Sequence, residues 1–441
     1  MTVSARDLAT RLLDKAARRA DAAEVIVQQS EQRSVRFQDN ALKSVTTRAL
    51  RGVGLRVIRQ GRIGFSSTND PAAFDTLIEQ ALHSASLGQE AKFEFPRNSD
   101  APEVRLHDPA VTGLAMERAI AIMRQGIDGV LAAYPDAHCS GGISRSLGVT
   151  ILCNSSGLFH EEESTSYDMG LSAFLVRGES FLWIDEEVGS CRLDEDIARL
   201  ARMVVQKARL SEREVHPTAE KMPVVFTPRA LDVLLATLEA NVNGKTVQKG
   251  ASVLAERLGE RVLDERVTIL DDPLVDFASG SYAVDAEGLP ARTKPLFEKG
   301  VLRTFIYDLQ TAGMCGVQPT ANAQRGYSSQ PHPGPGNIRL LPGQVPYREI
   351  ISGISRGLIV DQLLGAGQSN VLQGAFAVNV ELGFLVEKGE IVGRVKDTML
   401  AGNAFDAFNN IRAISAETEW HGDTELPYVC FESLSVAGRG T

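Results

Sequence analysis

The sequence predicts an α+β fold in two parts: an N-terminal α/β domain over 1–215, with helices packed on antiparallel sheets, and a mainly-β domain over 222–441. Three observations carry this prediction. In the first half, stretches with apolar residues every three or four positions alternate with stretches of period two. The segment SEREVHPTAEKM at 211–222 is polar, contains a proline and interrupts both periods, which marks a domain boundary. Beyond it, short apolar runs separated by glycines continue to the C-terminus.

Taken in order, the opening segment predicts an amphipathic helix with Leu8, Leu12, Ala16 and Ala20 on one face. A strand is expected at 23–29 and a β-rich region at 34–65, with turns at Asn40 and Gly61. Helices follow at 72–86 and 113–133, the second aligning Met116, Ile120, Met123, Ile127 and Val130. Strands resume at 137–153, 157–176 and 180–190, and a helix over 194–210 closes the half. Both quarters follow the order helix, strand, strand, helix, a pseudo-repeat without matching residues. After the boundary come the strand PVVF, a helix over 227–243, and short strands interrupted by helices at 347–353 and 403–411.

Composition narrows the function classes. With 46 Lys+Arg against 56 Asp+Glu, the net charge of -10 has the wrong sign for gripping a phosphate backbone, so no nucleic-acid partner is expected. The N-terminal segment lacks an unbroken apolar core like that of a signal peptide, and no run of 18 or more apolar residues occurs, so no membrane association is expected. Five cysteines, odd in number and widely spaced, argue against a disulfide framework. A cytoplasmic location is the expectation.

Candidate chemistry begins at FHEEES, 159–164. Helical zinc ligation needs a second histidine about one turn after His160, but Ser164 and Thr165 stand there. From 164 to 175 the pattern has period two, so this segment predicts a strand end with His160 and Glu162 on the wet face. In TPRALDVLLATLEANV, Thr227 caps a helix, Pro228 suits its first position, and Leu231, Leu234, Leu235, Leu238 and Val242 form one apolar stripe, a packing element. Between 271 and 288, Asp271, Asp272, Asp276, Asp285 and Glu287 lack the spacing of an EF-hand and read as turn chemistry. Cys315 has no histidine nearby in sequence and is expected to be a buried structural thiol. His332 and His421 are candidates for meeting in space. No phosphate loop or dinucleotide fingerprint is present.

An ordered set of segments resembles the TldD/PmbA family, whose members are also known as modulators of DNA gyrase. They are KGASVLAERLGERV, DDPLVDFASGSYAVDAEG, GVLRTFIYDLQTA, ANAQRG, ELGFLVEKGEIVGRVKDTMLAGN and PYVCFESLSVAG, with NSSGL and GVGLRVIRQGRIGFSS in the first half. The resemblance spans nearly the whole chain. It implies the family's mainly-β C-terminal domain and a cytoplasmic peptidase system with two kinds of subunit, usually a heterodimer. The TldD kind carries His-Glu-x-x-x-His on a helix and a cysteine ligand before the last strand; the PmbA/TldE kind lacks them. Counting back from KGAS, the two histidines would fall at or next to Leu235 and Ala240 and the glutamate near Ala236. No histidine occurs in 227–243, and no cysteine in 415–426.

The resemblance therefore implies the PmbA/TldE type: a subunit with no catalytic or metal-binding residue and no cofactor of its own. Zinc is expected in a TldD-like partner, and unfolded peptide is the expected substrate. A second copy of this chain is the alternative partner. Asn322, Arg325, Asp285 and Glu287 are the residues expected to line the peptide chamber, against the plainer reading of turns and surface ion pairs. Two other functions stay open: a non-enzymatic regulator of gyrase or of a toxin-antitoxin pair, and a self-sufficient homodimeric hydrolase using His160, His332 or His421.

Overall fold

The computed structural model describes residues 4–70, 73–98, 100–365 and 370–438. The chain opens with α1 (Ala5–Ala17), whose N-terminus is capped by the Ser4 hydroxyl accepting from the Asp7 amide. Then come β1 (Ala22–Gln38), β2 (Ala41–Arg59), β3 (Arg62–Thr68) and α2 (Phe74–Leu87). The second quarter comprises α3 (Pro109–Gly113), α4 (Met116–Leu131), β4 (His138–Asn154), β5 (Phe159–Arg177), β6 (Ser180–Ser190) and α5 (Ile197–Leu210). Their strands form one antiparallel sheet in the order β3-β2-β1-β4-β5-β6.

The pseudo-repeat is present as an arrangement, with three strands in each quarter. The quarters join through β1 and β4, in register from Glu24 opposite Asn154 to Phe37 opposite Gly141. β1 runs unbroken through polar residues 30–33, because β2 and β4 satisfy its backbone on both sides. The helix expected at 113–133 is interrupted at Leu114 and Ala115, both extended. Ala72, the expected start of the preceding helix, lies outside the described residues.

In the second half, β7 (Glu214–Val215), β8 (Glu220–Phe226) and α6 (Pro228–Val242) precede a long series of short strands in one twelve-stranded sheet. β8 lies between the parallel strand Arg356–Leu364 and the antiparallel strand Thr424–Gly438. One face of this sheet packs Phe226 and Phe431 against the leucine stripe of α6 and against Phe408 of the helix Ala404–Asn409. The opposite face places Ile359, Leu382 and Phe384 in a core shared with Ile122 of α4 and Leu200 and Val204 of α5. β7 pairs with the strand Glu390–Val395. The polar segment at 211–222 is thus stitched into the second sheet, and apolar burial continues across it.

Helices at Tyr347–Ser352 and Ala404–Asn409 stand where the sequence places them. Two others, Gly244–Gln248 and Leu309–Cys315, fall on stretches too short to show a helical period. The latter is capped by Asp308 and ends at Gly316, whose φ of 68° is left-handed. Half-buried Cys315 packs against the core, and burial pushes its thiol up. Among the described residues, no helix is long and apolar enough to cross a membrane.

Candidate functional site

α6 has two faces. Leu231, Leu234, Leu235, Leu238 and Val242 are sunk in the core, Leu235 only 1% exposed. The opposite face presents exposed Ala236 and half-buried Asp232, Glu239 and Ala240. Asp232 and Glu239 are two turns apart, hence on one side of the helix. The hairpin joining the strands Ile411–His421 and Thr424–Gly438 packs on α6 and brings His421 and Asp423 near Asp232.

Burial, then the charges of Asp232, Asp423 and Asp271, push the Glu239 carboxyl up to about 7. Asp232 and Asp423 are raised for the same first reason, with His421 acting in the opposite direction on both. No hydrogen-bond donor among the described residues answers Glu239, so its anion is opposed by desolvation and by like charge together.

The hairpin tip faces the first sheet across a cleft of about 990 Å³, lined by Ser140, Gly142 and Gly170, by the acids Asp39, Asp168, Glu187 and Asp423, and by Arg36 and His138. Burial and Glu187 raise Asp168. His421 Nδ1 lies 3.8 Å from Glu187 Oε1, linking the two halves. Beyond the hairpin, a second cavity of about 840 Å³ shares the wall Glu187–Gly189 and reaches Lys207, Tyr347, Phe384 and Tyr428. The cleft is therefore acidic and suits cationic groups better than anions.

The residues singled out from sequence are distributed differently. His160 and Glu162 lie on β5, as the period of two requires, but they are half-buried rather than solvated. They line a cavity of about 460 Å³ with His332, Asp285 and Arg325, under loops of the second half. The His160 Nε2 atom is buried without a hydrogen-bond partner, 3.7 Å from Glu162 Oε2. His332 shares this cavity, whereas His421 borders the 840 Å³ one.

Asp285, Glu287, Asn322 and Arg325 line neither large cavity, and their side chains are almost wholly buried. Arg56 donates to Glu24 at 3.1 Å and to Glu287 at 2.6 Å, and Arg325 Nη2 lies 2.6 Å from Glu24. Asp285 accepts from the amides of Ala323, Glu287 and Leu289. Asn322 donates to Asp271, which also holds Lys294. This network ties β1 and β2 to loops more than 200 residues away as an interior ionic seam. Asp232, Glu239 and Asp423 were missed by sequence reasoning. The available signal was two acids seven apart on the side of α6 away from its leucines.

The matches to known families fit this architecture. Residues 219–438 match the model of the PmbA/TldA metallopeptidase C-terminal domain, and residues 23–85 match that of PmbA/TldA metallopeptidase domain 1. The chain belongs to the PmbA/TldD metallopeptidase family. A protein named metalloprotease from Methanothermobacter thermautotrophicus is 28% identical, covering 90% of this chain and 89% of that one. Metalloprotease PmbA of Escherichia coli O157:H7 is 24% identical, covering 97% and 94%. The crystal structure of TldE from Thermococcus kodakarensis superposes with a TM-score of 0.91 at 25% identity, covering 98% of this chain and all of that one.

A metallopeptidase family raises the question of a metal here. The donors do not fit zinc. Of the two family histidine positions placed on α6, Leu235 points into the core and Ala240 carries no donor atom, and Ala236 stands at the glutamate position. Among the described residues no group of three His, Cys, Asp or Glu side chains converges to hold an ion.

The Glu239 environment has a measurable consequence. A carboxyl whose folded pKa is raised binds its proton more tightly when folded, so stability falls as pH rises from the unfolded value near 4.5 through about 7. Glu239→Gln is therefore expected to raise stability by about 1–3 kcal/mol near pH 8 and to change it little near pH 4. Urea denaturation at the two pH values checks this; an equal effect at both would show that the carboxyl is fully solvated.

Proposed function

We propose that this chain is the metal-free, PmbA/TldE-type subunit of a two-subunit peptidase. It holds unfolded peptide and helps enclose the chamber in which a TldD-type partner supplies the metal chemistry. The boundary between its two parts is placed at 211–222. The single observation that carries this reading is the face of α6 turned away from the core, where Ala236 and Ala240 stand at or beside the family's glutamate and second histidine positions, flanked by Asp232 and Glu239. Alanine at those points leaves no imidazole to be buried unpaired, consistent with a fold kept while its metal chemistry is lost.

Asp285, Glu287, Asn322 and Arg325 are assigned to fastening the two halves together. A direct action on gyrase bound to DNA is disfavoured by the charge of -10 and by the acidic cleft.

The purified chain is expected not to cleave an unstructured peptide by itself. Mixed with a TldD-type subunit it is expected to form a complex that does, with activity lost on chelation. Chelator-sensitive cleavage by this chain alone would overturn the reading. Metal-independent cleavage abolished by Glu239→Gln would replace it with a self-sufficient hydrolase.

A further inference from the structure

We propose that the free half of β2, residues 41–52, is a rail that captures an acid-rich, extended segment of the substrate peptide by strand addition. β1 pairs with β2 along its whole length, whereas β3 pairs only with Val53–Arg59. Residues 41–52 therefore have a partner strand on one side and, among the described residues, none on the other. At about 3.3 Å per residue this leaves an open edge of about 40 Å.

The other ends of this sheet are closed. On β6, the carbonyls of Phe181 and Asp185 accept hydrogen bonds from Arg394 and Arg229. At the start of β3, Ile63 donates to Gln89 and Ala91 donates to Gly61. Long exposed edges are normally blunted in this way, because unpaired amides and carbonyls recruit another chain. The β2 edge has neither proline nor a covering loop, and its one bulge lies near the turn, opposite Arg36 and Phe37. Over 41–50 both faces are open, with Leu42, Val45 and Leu50 between 42% and 48% exposed, and at the inner end Tyr327 covers Gly52.

Charge identifies the occupant. ALKSVTTRALRG contains Lys43, Arg48 and Arg51 and no acid, although the whole chain carries -10. Neither Lys43 nor Arg48 has an acidic partner among the described residues. A carboxylate-bearing strand answers Lys43 and Arg48, whereas self-pairing of β2 with a second copy would set cation against cation. The cleft has the opposite sign, through Asp168, Glu187 and Asp423. An acidic peptide is thereby held on the outer arm, where a partner subunit can reach it, rather than drawn into a cleft without metal ligands.

This inference rests on the peptide-holding reading above, and its test needs no partner. A labelled peptide of alternating Glu and Val, its Lys counterpart, and the Glu peptide N-methylated at alternate amides are titrated against the isolated chain. The Glu peptide is expected to bind about tenfold or more tighter than the Lys peptide and to slow amide exchange in 41–52. N-methylation removes binding, and Lys43→Glu with Arg48→Glu reverses the preference. Both side chains are exposed, so the variant keeps the wild-type thermal midpoint. Equal binding of the two charged peptides, or an unchanged preference in the variant, overturns the rail. So does a dimer of the chain alone that the variant dissolves, since a second copy would then occupy the edge. Cleavage of a neutral peptide by the mixed subunits bears only on the peptidase reading, so the two can fail separately.

Discussion

Replacing Arg56 by alanine is expected to destabilise the protein by about 3–5 kcal/mol, the cost of leaving buried carboxylates without their cation. Arg56 and Glu24 face each other across β2 and β1, and both are buried. The same guanidinium reaches Glu287 and lies over the rings of Phe93 and Phe95, 4.8 and 5.1 Å from their centroids. Burial raises the pKa of Glu287, against the opposing pull of Arg56. Without Arg56, only Arg325 would remain beside Glu24, Asp285 and Glu287. Because protonation relieves stranded carboxylates, the loss should narrow as pH falls. Urea denaturation near pH 7 and near pH 5 measures both effects. A control at the exposed pair Arg303–Glu298 should lose less than about 1 kcal/mol. If Arg56→Ala matched that control, the seam would have to be open to water.

A comparable loss, about 3–5 kcal/mol, is expected for Lys207→Met. Lys207 on α5 lies 2.5 Å from Glu186 on β6 and 2.7 Å from Asp361 on the strand Arg356–Leu364. One ammonium thus fastens the first sheet, its covering helix and the second sheet. Desolvation opposes its charge, but the two carboxylates outweigh this and raise its pKa, while burial raises Glu186. Methionine keeps the aliphatic stem, so the measured loss isolates the charge rather than the packing. Adding Glu186→Gln and Asp361→Asn to Lys207→Met should recover most of the loss, because the stranded anions are then gone. A triple variant no more stable than Lys207→Met would assign the loss to packing instead.

These two seams join residues on either side of the polar run at 211–222. The polar run at 211–222 interrupts every local period, as a linker does. Nevertheless β7 joins the second sheet there, and the core beneath α5 includes Ile359 and Phe384 from the far side of the run. Local polarity reports the exposure of one short segment; it is silent about what packs on either side.

By itself, the sequence determined each element whose signal is local. The period of two at 164–175 made FHEEES the start of a strand rather than a zinc helix, and the leucine stripe of α6 settled which face of that helix is buried. It also determined that histidines are missing from 227–243, since absence from a segment needs no folding to be read.

Only the tertiary structure decided the partners of the charged residues. Asp285, Glu287, Asn322 and Arg325 look like turn residues in sequence, yet they are buried because Arg56 and Glu24 come from strands more than 200 positions earlier. Asp232 and Glu239 gain their meaning from Asp423, brought to them by a hairpin almost 200 residues later. The physical reason is one of range. Backbone hydrogen bonding and side-chain periodicity act between neighbours in the chain, whereas desolvation and Coulomb forces act between neighbours in space.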